Sequence, residues 1–344
     1  MKTPFVAHPK CIFYVLTYES TSMMKTLIRA LLIAAVPVAS SAQTTWDLPT
    51  GYAANTFHVQ NLQQFADDVN KATAGKLKIT LHPGGSLYKA NEIKRAVQSG
   101  QVPAGEMILS GASNENSLFG VDSIPFIATS YADSKRLYLA AKPMQEKVLQ
   151  AQGIKVLYSV PWPGQSLYSL KPVNTPADLA GTKMRAYNPA TSRIAQLLKA
   201  QPVTIQLAEL PQALATGAVQ TFLSSSAGGI ESKLYEQVKY FYPVSAWLPR
   251  NITVVSQKAF DALSPAVKEA VLKAAAAAEE RGWVTSERLD AEYIKELGAK
   301  GMIISPVSDT VKKELEVVGA TMTAEWLKIS GPDGKQILDS YMKK

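Results

Sequence analysis

Ala180-Gly181-Thr182-Lys183-Met184-Arg185-Ala186-Tyr187-Asn188-Pro189 places a fixed positive charge at the end of a short strand, immediately before a helix. Positions 182–186 read as a strand, closed off by Gly181 on one side and Asn188-Pro189 on the other. Asn188 is suited to cap a helix and Pro189 to sit in its first turn. Positions 190–200 then carry Ile194, Leu197 and Leu198 at helical spacing. Ligands of open α/β sheets bind at such strand ends, and the arginine fork matches a carboxylate. Taken alone, the segment fits a surface arginine as well.

Outward from this block the chain alternates short apolar strands with amphipathic helices, the pattern of an α/β protein. Strands are expected at 44–48, 77–81, 107–109 and 155–160, and helices at 61–73, 91–99 and 131–151. The first of these helices carries Leu62, Phe65, Ala66 and Val69 on one face, and Gly100 stops the second. A long helix is expected from Ser264-Pro265 toward Gly298, with an alanine-rich run at 274–278 and a bend at Gly282. Pro161-Trp162-Pro163-Gly164 and Trp247-Leu248-Pro249-Arg250 break the alternation and read as crossings between two domains. The expected division is 43–161 plus 250–289 for domain I and 162–249 plus 290–344 for domain II, an arrangement able to close on a ligand.

The N-terminal region reads as a targeting segment. Lys25 and Arg29 follow Met23-Met24, an apolar run covers 30–39, and Ser40-Ser41-Ala42 supplies small residues for cleavage near Ala42. The run is too short to span a membrane stably. Residues 1–22 read as an upstream extension, and a periplasmic location is expected. Cys11 is the only cysteine, so the chain from Gln43 onward has no disulfide and no lipid-bearing thiol.

Chemistry-bearing patterns are few. The net charge is +8, yet basic and acidic residues are interleaved, which argues against a nucleic-acid partner. After residue 42 the histidines are His58 and His82, far apart and without a metal-ligand pattern, so no metal and no cofactor are expected. There is no phosphate-binding glycine loop and no G-x-S-x-G elbow. Ser340-Tyr341-Met342-Lys343 has S-x-x-K spacing but reads as coincidence at a frayed end. Asp67-Asp68 and Glu279-Glu280 read as solvated helix faces. No enzyme is expected.

Five blocks resemble the extracytoplasmic solute-binding proteins of TRAP transporters, the DctP-like family. They are Phe65-Ala66-Asp67-Asp68-Val69 with Gly75-Lys76-Leu77-Lys78-Ile79; His82-Pro83-Gly84-Gly85-Ser86-Leu87; Ile124-Pro125-Phe126; Asp178 through Arg185; and Leu214-Ala215-Thr216-Gly217-Ala218-Val219. Each block is short; their order and spacing carry the resemblance across nearly the whole chain after residue 42. It implies a two-domain periplasmic-binding-protein fold, a ligand cleft between the domains and a long helix spanning both. It also implies that Arg185 forms a two-pronged salt bridge with a substrate carboxylate, with Asn188 beside it. Two departures stand out. Gly164 occupies the place of a second arginine found in many relatives, and Ser224 matches the family's ligand-facing asparagine, with Ser225 next to it. Loss of a cation argues against a dicarboxylate.

Other candidate ligand residues are the flat aromatics Trp162, Trp247 and Tyr52, with Tyr187 and Phe222 nearby in the implied fold. Asn251 is a candidate donor. Ser110 and Asn114 follow a buried strand and are expected to face the cleft, while neighbouring Glu115 could hold a ligand hydroxyl or cap a helix. The expected function is capture of a small organic monocarboxylate, an aromatic or short 2-oxo or 2-hydroxy acid, for the membrane permease subunits of a TRAP transporter. The protein is expected to act as a monomer. A sugar acid is the alternative ligand. A secreted hydrolase or lyase using the serines at 224–226 is the rival class; it needs a base near a serine, and both histidines are expected in the other domain. A sensor role is equally compatible with the residues.

Overall fold

A computed structural model describes residues 43–343. The expected targeting segment and its cleavage near Ala42 lie outside the described residues. In chain order the elements are β1 (Thr44–Pro49), α1 (Phe57–Ala72), β2 (Leu77–His82), α2 (Ile93–Gln98), β3 (Ala104–Ile108), α3 (Tyr131–Ala151) and β4 (Ile154–Pro161). There follow β5 (Ser166–Ser169), β6 (Lys183–Ala186), α4 (Pro189–Leu197), β7 (Gln201–Thr204), α5 (Leu210–Ala215), β8 (Thr221–Ser224), α6 (Ser226–Glu231) and β9 (Tyr240–Tyr242). The chain closes with β10 (Arg250–Ser256), α7 (Gln257–Asp261), α8 (Pro265–Ala299), β11 (Ile303–Ile304) and α9 (Asp309–Met342).

The strands form two groups, as a two-domain α/β fold requires. One holds the parallel pair β1-β2 and the antiparallel sheet β3-β10-β4, linked by a bridge between Thr50 and Glu106. The other is a mixed six-stranded sheet in the order β11-β9-β5-β8-β6-β7. Strand β10 is buried along its whole length, so the chain leaves the first group after β4 and returns to complete it. The two crossing segments run side by side: Trp162 N donates to Pro249 O, Gln165 N to Trp247 O and Ala246 N to Gln165 O, each at 2.8 Å. The two sequence breaks therefore pair with each other.

Helix α8 packs against α1 and β4 of the first group and against α6 and β11 of the second. It is continuous through Gly282, with no break in the helix there. A Cβ at Gly282 would lie 2.4 Å from Val160 Cγ2; the glycine lets the helix approach β4 closely. Helix α1 begins at Phe57, earlier than expected, because Thr56 caps it by accepting from Val59 N. Strand β3 likewise starts at Ala104, before the expected 107. Ser340 belongs to α9 and not to a frayed end: the neighbouring Tyr341 is buried and donates to Ile127 O at 2.7 Å. That helix kinks at Gly331 (φ 58°), followed by Pro332, and packs on α3 and α4. No helix among the described residues is long and apolar enough to cross a membrane.

Candidate functional site

Alternation along β6 buries Met184 and Ala186, and Met184 joins the core that holds Ile194 and Ala195 of α4. Arg185 therefore emerges on the opposite face, where it is 4% exposed. The helix after it starts as its sequence suggests: Asn188 accepts from Thr191 N at 2.8 Å, Thr191 Oγ1 accepts from Asn188 N, and Pro189 follows the cap.

Arg185 Nε donates to Ile205 O at 2.9 Å, and the guanidinium lies 4.9 Å from the centre of the Tyr187 ring. Among the described residues no carboxylate lies within salt-bridge distance of it. Burial pulls its pKa down to about 10, with Tyr187 and Tyr52 opposing, so it remains charged at neutral pH. Arg250, also buried, shows the contrast: it faces the equally buried Asp122 at 3.4 Å. One interior cation is thus matched by the protein and the other is not.

Arg185 lines a cavity with about 320 Å³ of empty space, part of it open to solvent, together with Tyr52, Trp162, Gln165, Tyr187, Ser224 and Ser225. Ile108, Leu207 and Pro249 complete its apolar surface. Ser224 ends β8, and Ser225 caps α6 by accepting from Gly228 N at 3.0 Å. Gly228 makes room for the neighbouring hydroxyl, since a Cβ there would lie 2.6 Å from Ser224 Oγ. The Trp162 and Tyr52 rings, with centres 5.0 Å apart, form an aromatic wall.

A polar layer stands behind that wall. Trp162 Nε1 and the Tyr52 hydroxyl both donate to Asn251 Oδ1, at 2.9 and 3.2 Å. Asn251 Nδ2 donates to Glu106 Oε1 at 2.6 Å, and Thr50 donates to Glu106 Oε2. His58 Nδ1 lies 3.5 Å from Glu106 Oε1, and its ring rests 4.2 Å from that of Trp162. Burial pushes the Glu106 carboxyl up to about 7 and holds His58 well below the usual histidine range.

Five of the ten candidate residues therefore line the cavity: Arg185, Trp162, Tyr52, Ser224 and Ser225. Asn251 lies one layer back, with both ends of its amide engaged. Asn188 Nδ2 donates to Ser110 Oγ at 2.8 Å, so these two residues bind each other away from the cavity lining. Trp247 is buried in the core, with its indole beside the Tyr187 hydroxyl. Asn114 lines an adjoining space of about 860 Å³ that shares Tyr52, Ile108 and Tyr187 with the first. There Glu115 pairs with Lys94.

Gln165, Ile108, Leu207 and Pro249 escaped the sequence reading. Gln165 and Pro249 had a signal, because both border the breaks; Leu207 had none. For the hydrolase alternative, no carboxylate or imidazole is hydrogen-bonded to Ser224 or Ser225 among the described residues. Ser226 does donate to Asp290 Oδ1 at 2.8 Å, but Ser226 is not part of the cavity lining. No His, Cys, Asp and Glu group suited to a metal occurs among the described residues.

The family described as bacterial extracellular solute-binding protein, family 7, matches residues 50–328. The crystal structure of DctP6 from Bordetella pertussis, an extracytoplasmic solute receptor binding pyroglutamic acid, is 48% identical. Its TM-score is 0.86, with 88% of this chain and 100% of that chain covered. DctP7 of the same organism, also described as binding pyroglutamic acid, is 41% identical with a TM-score of 0.86, over 87% of this chain and 100% of that one. The 2,3-diketo-L-gulonate-binding periplasmic protein YiaO of Escherichia coli is 26% identical over 265 residues, 73% of this chain and 79% of YiaO.

Proposed function

The chain belongs to the bacterial extracellular solute-binding proteins of family 7, the DctP family of TRAP solute receptors, and from that premise we propose that its ligand is pyroglutamate or a closely similar compact monocarboxylate. The observation that carries this reading is the buried Arg185, which lacks an anionic partner in the protein and faces a cavity. A charge left in that state is costly, and a ligand carboxylate in a two-pronged pair relieves the cost. A single such cation, with Gly164 where many relatives have another, supports one carboxylate over two. Two receptors above 40% identity that bind pyroglutamic acid support the cyclic acid over an aromatic one.

In this reading the ligand's carboxylate meets Arg185, Trp162 and Tyr52 cover its ring, and Ser224 or Ser225 donates to its carbonyl oxygen. Binding draws together two lobes, 43–161 plus 250–289 and 162–249 plus 290–344, with α8 lying across both. The loaded protein, a monomer exported by cleavage near Ala42, delivers the solute to TRAP permease subunits. A sugar acid is the second reading, supported by YiaO and by the polar space adjoining the cavity.

Calorimetric titration of the protein, unfolded and refolded to remove co-purified solute, tests this. Pyroglutamate is expected to bind tightly, and Arg185→Ala to weaken binding by at least ~100-fold. Arg185→Lys should also bind poorly because it lacks the planar fork. Binding of Arg185→Ala within a few-fold of wild type would refute the assignment. Stronger binding of uronates or aldonates than of pyroglutamate would select the second reading.

A further inference from the structure

We propose that Tyr52 reads a hydrogen-bond donor on the ligand: its phenol oxygen is presented to the cavity as an acceptor, so the site selects a carboxylate that carries an N–H or O–H nearby. This rests on the monocarboxylate reading above and specifies what the rest of the ligand must offer.

The direction of each hydrogen bond behind the cavity wall sets the role of Tyr52. Indole Nε1 can only donate, so Trp162, at 2.9 Å, requires the oxygen of the Asn251 amide on its side. Glu106, on the other side at 2.6 Å, accepts from the amide nitrogen and also accepts from Thr50. A flipped amide would set N–H against N–H at Trp162 and oxygen against oxygen at Glu106. Trp162, which can only donate, fixes this orientation by itself, and the ionised form of Glu106 agrees with it; Asn251 and Glu106 are each 2% exposed, so water does not substitute for either contact. Tyr52, 3.2 Å from that oxygen, donates its proton to it. What remains toward the cavity is the lone-pair side of the phenol.

The other phenol of the cavity is set the same way. Gln165 Nε2 donates to Pro163 O at 3.1 Å, which turns Gln165 Oε1 toward Tyr187, and the Tyr187 hydroxyl donates to it at 3.3 Å. The cavity therefore combines one cation, two serine hydroxyls and two phenol oxygens whose protons are already engaged. A lactam acid offers the matching set: carboxylate, carbonyl and N–H.

The test compares pyroglutamate with its ring-oxygen isostere, 5-oxotetrahydrofuran-2-carboxylate, in which an ether-type oxygen replaces the lactam N–H. Both are titrated calorimetrically into the refolded, solute-free protein and into Tyr52→Phe. In the wild type the lactam is expected to bind at least ~30-fold more tightly than the lactone. Tyr52→Phe should weaken the lactam by ~10-fold or more and leave the lactone within ~3-fold, so that the preference collapses. Equal binding of the two acids by the wild type would overturn the inference while leaving the monocarboxylate reading intact. So would a Tyr52→Phe protein that loses both acids in equal measure, since that pattern marks packing only. If neither acid binds the wild type, the monocarboxylate reading falls and the inference with it. Should Tyr52→Phe fail to fold, the wild-type pair of titrations still decides.

Discussion

Asn188 Nδ2 donates to Ser110 Oγ at 2.8 Å, with both residues buried, and so ties the first turn of α4 to the segment that follows β3. The same asparagine caps α4 through its oxygen. One side chain thus starts the helix behind Arg185 and joins the two sheet groups. Ser110→Ala is expected to weaken the tie, leaving Asn188 Nδ2 only its longer contact to Ser123 Oγ at 3.4 Å, and to keep the cap. Ligand affinity should fall by ~3–10-fold while the melting temperature of the solute-free protein stays near wild type. Asn188→Ala should lose both functions, with an added stability cost of ~1 kcal/mol for the cap. Paired calorimetric titration and thermal melts separate the two effects; equal affinity losses without any stability difference would contradict the double role.

Arg185 is an interior cation that the free protein does not neutralise, so function and stability oppose each other there. Arg185→Met is expected to raise the melting temperature of the solute-free protein, because a charge in an apolar wall is replaced by a group of similar length with no desolvation cost. The same variant should lose the ligand. Arg250→Met should act in the reverse direction, since it strands the buried Asp122 carboxylate that now faces Arg250. Thermal melts of the two variants check the contrast, and destabilisation by Arg185→Met would show that Ile205 and Tyr187 satisfy the guanidinium without help.

Much of this site was legible in the sequence because local punctuation fixed it. Gly181 and Asn188-Pro189 bracket the Arg185 strand, and that strand and helix occur where the pattern puts them. Side-chain direction was not legible. Asn251 reads as a free donor beside a break, yet Trp162, Tyr52 and Glu106 take up both ends of its amide. Trp247 borders the same break but turns into the core. His58 looked remote from the second domain's residues, and yet its ring lies on Trp162, a wall of the cavity. Sequence separation carries no information about such encounters. They depend on which face of each strand the sheet register selects, and on crossings that bring distant segments together.

Gly282 carries a separate constraint. Val160 Cγ2 occupies the space its Cβ would need, 2.4 Å away, and Asn61 Nδ2 is 3.0 Å from the same point. Gly282→Ala would raise helix propensity by ~1 kcal/mol but force α8 away from β4, at a typical overpacking cost of ~1–3 kcal/mol. The net expectation is a lower melting temperature. Val160→Ala in the same chain should restore part of the loss, because it vacates the contested volume. A Gly282→Ala protein more stable than wild type would mean that the helix can shift freely.

Glu231 should give the protein a measurable pH dependence. It is buried on α6, its Oε1 accepts from Phe57 N at 2.9 Å at the start of α1, and its Oε2 has no partner among the described hydrogen bonds. Burial pushes its carboxyl up to about 8, against lowering contributions from Phe57 and Tyr293. A carboxyl raised in the folded state favours folding fully below its ordinary value and loses that contribution as pH rises through the folded value. Glu106, raised to about 7, acts in the same sense. His58, held below its ordinary value, opposes both only where an unfolded histidine would take up a proton, at acid pH. Between pH 6.5 and 8 the carboxyls are therefore left to dominate, and the melting temperature is expected to fall with rising pH. Glu231→Gln keeps an oxygen for Phe57 N and removes the ionisation, so it should flatten the slope in this window and raise the melting temperature most at pH 8. Melts across the window in wild type and variant decide the point; parallel curves would place Glu231 in a solvated, unshifted environment.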